Sequence, residues 1–245
     1  MTDWDTYAKL GILQAVIDPS DNQGFKNRLI DQIQWRLIQE KLKKSKKLLD
    51  FGCGTGRFAP RITNLGIEYT GIDSSENMIQ VAKDIHQSPI LKFIHFNGVE
   101  IPFPDNSFDT CLSSGVFQYL IKEPNCQKIL SEIRRVLVPG GCLIMDEQVS
   151  LSNQTSASGM LVLTELDYKN EISNSFSVKS VCRVRGGYLS KVSHLSFRVA
   201  KLLPWAFDVS LDYLAQREIR KIKKVSSDYL STMKYYEVLI ESETK

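Results

Sequence analysis

Between residues 47 and 149, short apolar runs alternate with amphipathic stretches. KLLDF (47–51), IEYTGID (67–73), LKFIHFN (91–97), FDTCLSSG (108–115) and CLIMDEQV (142–149) have the length and apolar density of buried strands. RFAPRITNLG (57–66), SSENMIQVAKDIH (74–86) and NCQKILSEIRRVL (125–137) read as helices. The second opens on a serine cap, and VPGG ends the third. Strands alternating with helices predict a parallel sheet covered on both faces. Ahead of this block, FKNRLIDQIQWRLIQEKL puts Leu29, Ile33, Leu37 and Ile38 on one helical face, so residues 1–47 read as a helical cap. After Val149 the pattern changes. SLSNQTSASG is a loop and LVLTELDYKNEI (161–172) a helix. SFSVKSVCRVR (175–185) alternates as a strand and stops at Gly186-Gly187. Residues 188–228 read as Lys- and Arg-rich helices interrupted at Pro204, and MKYYEVLIESE (233–243) as a last strand with Tyr236, Val238 and Ile240 on one face.

A length of 245 residues suits one domain with embellishments. The net charge of +3 is too small to argue for nucleic acid. Five scattered cysteines without C-x-x-C spacing read as reduced thiols. With a polar start, MTDWDTYAKL, and no membrane-length apolar run, the expectation is a cytoplasmic protein.

The candidate chemistry lies in DFGCGTGRF. Glycines at 52, 54 and 56 follow Asp50 directly after a strand, where open α/β sheets bind ligands. A dinucleotide fingerprint wants G-x-G-x-x-G, but here Arg57 stands where the third glycine belongs. Asp50 would repel a pyrophosphate. It suits a ligand with an amino group and a sulfonium, such as S-adenosylmethionine (SAM). Asp73 ends the next strand, about 20 residues on, where a carboxylate accepts from ribose hydroxyls. Its alternative role is to cap the helix beginning at Ser74 or Ser75.

LLDFGCGTGRF, IEYTGIDSSENMIQVAK, FNGVEIPFPDNSFDTCLSSGVFQYL and EIRRVLVPGGCLIMDE follow one another from Leu48 to Glu147. In order and spacing the chain resembles a class I, Rossmann-like SAM-dependent methyltransferase. The resemblance implies an α/β fold: a seven-stranded, mostly parallel sheet with helices on both faces and an antiparallel last strand. It also implies an N-terminal helical cap (1–47) and a SAM-binding domain (48–245). In that domain, a helical insert before the last strand (186–228) would serve as an acceptor lid. Gly52 and Gly54, with Cys53 between them, would let backbone approach the methionine part beside Asp50. Asp73 would hold the ribose, and Ser74 and Met78 would border the adenine. Asn97 and Gly98 stand where the family has Asp and a small residue; the Asn97 amide oxygen can still accept from the adenine amino group. Ser113 and Ser114 would lie beside the methionine part, and Phe117, Gln118 and Tyr119 would face the methyl. The catalytic candidates are Gln118, Tyr119 and, as a base, His194. Phe108, Leu112, Val116 and Leu120 read as core, His86 as a surface helix residue and His95 as a strand residue.

The resemblance implies methyl transfer to a small-molecule acceptor, a sugar, glycan or other biosynthetic intermediate, by O- or N-methylation. SSGV replaces the N-P-P-Y of amino-methyltransferases, so no nucleic-acid partner is expected. The insert is basic and carries Leu202, Leu203, Trp205 and Phe207. It reads as a solvated charged face over a packed apolar stripe. The alternative is a cover for an anionic or lipid-linked acceptor, with peripheral membrane contact. Two other classes stay open: a SAM-binding subunit or sensor without catalysis, and a nicotinamide oxidoreductase. The glycine spacing, Asp50 and the absence of a Tyr-x-x-x-Lys pair stand against the latter.

Overall fold

The computed structural model describes residues 4–121, 123–151, 154–155, 161–186, 189–224 and 236–245. The strands are β1 (Lys47–Phe51), β2 (Glu68–Asp73), β3 (Lys92–His95), β4 (Phe108–Ser114), β5 (Leu137–Val149), β6 (Gln154–Thr155), β7 (Leu161–Val162), β8 (Phe176–Gly186) and β9 (Tyr236–Thr244). Seven form one sheet in the order β3-β2-β1-β4-β5-β9-β8, and β6 pairs only with β7. β1 to β5 run parallel, and β9 lies antiparallel between β5 and β8. The order reverses between β1 and β4, so their C-terminal ends form the crevice where such sheets take ligands.

The helices are α1 (Trp4–Tyr7), α2 (Phe25–Lys41), α3 (Ala59–Thr63), α4 (Glu76–Ile85), α5 (Phe117–Leu120), α6 (Cys126–Val136), α7 (Glu165–Ile172), α8 (Lys191–Ala200) and α9 (Pro204–Lys223). They cover both faces because strand residues alternate in direction. Leu49, Cys111, Leu143 and Val238 pack with Ile129 and Ile133 of α6 and Tyr168 of α7. Their neighbours Leu48, Leu112, Ile144 and Leu239 pack with Leu29, Ile33 and Ile38 of α2 and Phe207 and Leu214 of α9.

Several boundaries differ from the sequence expectation. Residues 11–24 turn rather than continue a helix, and Gly11 and Gly24 have positive φ. α7 starts only at Glu165, because Thr164 and Asp167 close a capping box and Leu161–Val162 pairs as β7. VPGG does not merely stop α6. It forms an extended bulge at the start of β5, where Phe108 faces Leu137 but Thr110 faces Cys142. Residues 233–235 of the last predicted strand, and 187–188 and 225–228 of the predicted insert, lie outside the described residues.

The insert packs on α2. Phe207 meets Phe25 at 5.2 Å between ring centroids, Arg28 pairs with Asp208, and Arg36 pairs with Asp212. The packed apolar stripe expected there is corrected in part: Phe207 is buried, but Leu202, Leu203 and Trp205 are exposed.

Candidate functional site

The loop after β1 is tied to β2 by backbone. The N–H groups of Gly52 and Cys53 both donate to the Ile72 carbonyl, at 2.9 and 3.0 Å. Gly52 has φ +71°, and a Cβ there would sit 2.5 Å from Val116 Cγ2. The position therefore demands glycine twice, by conformation and by space. Gly54 N–H donates to Asp73 Oδ2 at 2.8 Å, and Ser75 N–H donates to Asp73 Oδ1 at 2.9 Å. Asp73 thus braces the turn into α4 and lines the cavity beyond the loop. Ser75 is the helix cap, accepting from Met78 N–H.

Asp50 is buried at the cavity floor, where Tyr69 Oη donates to its Oδ2 at 2.8 Å. Burial pushes the Asp50 carboxyl up to about 7, against the Tyr69 hydrogen bond and the Arg57 charge. Burial also raises Asp73, against the N–H donors of Ser75 and Gly54. Two desolvated carboxyls on one cavity wall favour a ligand with positive charge and hydroxyl donors.

Arg57, the residue that breaks the dinucleotide fingerprint, lies in the same wall. Its guanidinium donates to Asp31 Oδ1 (3.0 Å), Gln34 Oε1 (2.7 Å) and Ser114 Oγ (2.9 Å), and rests 3.9 Å from the Phe58 ring centroid. Ser114 Oγ passes a bond to Asp146 Oδ2 at 2.8 Å. Next to Asp146, Glu147 accepts from the N–H groups of Val116, Phe117 and Gln118 at 3.0–3.3 Å. Burial lifts Glu147 to about 8, although these donors pull it down. This carboxyl fixes the start of α5, and with it the Ser114–Leu120 wall. Sequence reading missed it. Its signal was the acid pair in the otherwise apolar run CLIMDEQV.

Of the expected site residues, Asp50, Gly52, Cys53, Gly54, Asp73, Ser74, Met78, Gly98, Ser114 and Tyr119 surround one cavity. Five expected residues do not line it, and one of them, Phe117, is buried in the core instead of facing the site. Ser113 points to the opposite side of β4 from Ser114 and is fully buried. Gln118 turns back and donates to the Gly115 carbonyl at 3.0 Å. Asn97 spends its amide oxygen on the N–H groups of Val99 and Glu100, at 3.0 and 2.8 Å, and closes a turn. His194 sits exposed on α8 against Phe197. No histidine lines the cavity. His86 is more than a surface residue: it donates to the Thr55 carbonyl at 3.1 Å, stacks on Phe93 and supports the glycine loop from below. Val116 and Leu120, expected as core, face the cavity. Trp4 and Val16, which sequence reading did not single out, close its other side. Trp4 meets Tyr119 edge-on at 5.1 Å. Cys53 lines the cavity as a thiol pushed up by burial, which makes it filler rather than nucleophile.

A family model described as a methyltransferase domain matches residues 49–145, the segment that carries this loop, Asp73 and the β4 wall. That segment is similar to a methyltransferase domain, and the chain shares its fold with SAM-dependent methyltransferases of known structure. A demethylmenaquinone methyltransferase of Listeria welshimeri is 37% identical over 124 residues, 45% of this chain and 50% of that protein. The chain spans about half the length of the curated relatives it matches. Among solved structures, the [4+2]-cyclase SpnF has TM-score 0.59 and 21% identity, over 89% of this chain and 80% of that one. A SAM-dependent methyltransferase from Aquifex aeolicus has TM-score 0.57 and 20% identity, over 75% and 94%. The family's cofactor fits the donor set here: acids for its cationic and diol groups, and glycine backbone where a side chain would intrude. Among the described residues, no helix is long and apolar enough to cross a membrane.

Proposed function

We propose that the chain binds SAM in this cavity and transfers its methyl group to a small-molecule acceptor admitted beside Trp4 and Tyr119. The observation that carries the reading is the convergence of Asp50, Gly52, Gly54 and Asp73 on one cavity whose far wall is aromatic and apolar. The relative named for demethylmenaquinone supports a small-molecule acceptor. A sugar, a glycan or another biosynthetic intermediate remains within that class.

Bound SAM supplies a methyl group on a sulfonium, already activated for displacement. The chain has to bind, orient and exclude water. Asp50 would pair with the cationic groups, and Asp73 would accept from the ribose hydroxyls. Met78 and Phe96 offer apolar surface for a base, with the Gly98 backbone at its edge. Val116, Tyr119, Leu120 and Trp4 would hold the acceptor in line and keep water out. Positioning of this kind can supply about 7–11 kcal/mol. The cavity's charged side chains are already bound within the protein: Asp50 to Tyr69, Asp73 to Gly54 and Ser75, Arg57 to Asp31. Positioning therefore carries the catalysis, and Tyr119 is the polar side chain on the acceptor side.

Calorimetric titration is expected to show binding of SAM and S-adenosylhomocysteine and none of NAD. Binding of NAD without SAM would sink the proposal. A second reading, a SAM-binding protein with other chemistry, has one observation in its favour: SpnF, a [4+2]-cyclase, shares the fold. Release of S-adenosylhomocysteine in the presence of candidate acceptors separates the two.

A further inference from the structure

The hairpin of α8 and α9 is built inside out on one side. Eight of the fourteen large apolar side chains exposed among the described residues fall between 192 and 213. On α9, Trp205, Val209 and Tyr213 recur every fourth residue and are 64%, 79% and 60% exposed. They form one stripe opposite the buried Phe207, Leu214 and Ile222. On α8, Leu195 and Val199 run the same way into the turn, where Leu202 is 82% exposed. A monomeric protein rarely shows so concentrated an apolar ridge without a use for it.

The charge around the ridge has one sign. Lys191, Arg198 and Lys201 flank it on α8, and exposed Arg217, Arg220, Lys221, Lys223 and Lys224 follow it at the far end of α9. The three acids of the hairpin are each partnered within the protein. Asp208 and Asp212 pair with Arg28 and Arg36 of α2. Glu218 is buried and accepts from Ser190 N–H and Ser193 Oγ. An apolar ridge with Trp and Leu at its tip, bordered by Lys and Arg, has the chemistry of a segment that lies in a lipid interface and is drawn by anionic headgroups.

We infer that the α8–α9 hairpin docks the protein on an anionic lipid surface, with Leu202, Trp205 and Val209 entering the interface. A second copy of the chain fits less well, because apposed ridges would bring one basic flank against the other. The hairpin turn also lies beside the start of α2, through Phe207 on Phe25 and Asp208 on Arg28. The chain just ahead of α2 passes Val16, which lines the cavity. Docking would therefore turn the cavity end of the molecule toward the lipid. The inference uses no cavity residue and stands apart from the proposed methyl transfer.

The test is flotation of the full chain with phosphatidylglycerol vesicles and with phosphatidylcholine vesicles. Binding is expected to the first only, and to weaken with salt. Leu202→Ser combined with Trp205→Ser and Val209→Ser should lower that binding ~10-fold or more. Its melting temperature and its S-adenosylhomocysteine affinity should stay as they were. Arg198→Gln with Lys201→Gln should flatten the salt dependence. Failure of the native chain to float with phosphatidylglycerol vesicles at low salt would overturn the inference. So would equal binding by the triple variant, or a dimer in sedimentation equilibrium that the triple variant abolishes.

Discussion

Asp50 holds its proton to about 7 because burial penalises its charge, while the same carboxyl in the unfolded chain titrates near 3.8. Between those values the folded chain carries a proton that the unfolded chain has lost. The Asp50 contribution to stability is therefore complete below pH ~4 and lost as pH rises through about 7. Asp50→Asn is expected to make the ligand-free protein less sensitive to this rise, read by urea unfolding across the same window. A cationic ligand acts in the opposite sense, since its charge favours the carboxylate. The affinity of SAM should increase as pH rises through about 7, and Asp50→Asn should remove most of that slope along with most of the binding. A flat calorimetric pH profile in the native chain would separate Asp50 from the cation. Asp50 was readable in the sequence because it precedes three glycines after a strand. Asn97 was misread because its family position says nothing about the turn that takes up its oxygen.

At the scale of elements, α5 has only four residues and cannot stand by its own backbone bonds. Glu147 replaces what the helix lacks by accepting three N–H groups in a buried setting. Glu147→Ala should cost about 2–4 kcal/mol in denaturant unfolding, and Glu147→Gln less, because an amide oxygen still accepts. α9 is held to α2 differently, by apolar contact bordered by exposed ion pairs. Phe207→Ala should cost about 3–5 kcal/mol. Loss of the exposed Arg36–Asp212 pair should cost under about 1 kcal/mol, as is usual for surface pairs. The long helices and the parallel strands were legible from periodicity. The bulge at the start of β5 and the turns of residues 11–24 were not, because a bulge follows from pairing with β4 and a turn from the surface it crosses.

The insert and α2 share one buried cluster at the scale of the whole molecule, in which Ala200, Phe207, Leu214 and Ala215 meet Leu29 and Ile33. Replacing residues 189–224 with a Gly-Ser linker should therefore unfold much of the protein rather than remove a separable lid, a result that thermal unfolding would show as a lost or broadened transition. The N-terminal segment is the better candidate for closure over the site. Trp4 touches Tyr119, and Ser75 Oγ donates to Asp5 Oδ1 at 2.5 Å. Deleting residues 1–10 should weaken S-adenosylhomocysteine binding ~10-fold and raise hydrogen exchange at 115–120, while the sheet stays protected. The sequence by itself determined the alternation of strand and helix, the glycine loop and the two acids that line the cavity. These depend on local spacing and on residue type. Only the tertiary structure decided which side chains share the cavity and which face of the basic hairpin meets water. Residues far apart in the chain, such as Trp4 and Tyr119 or Arg28 and Asp208, come together only when both sides of the sheet are packed.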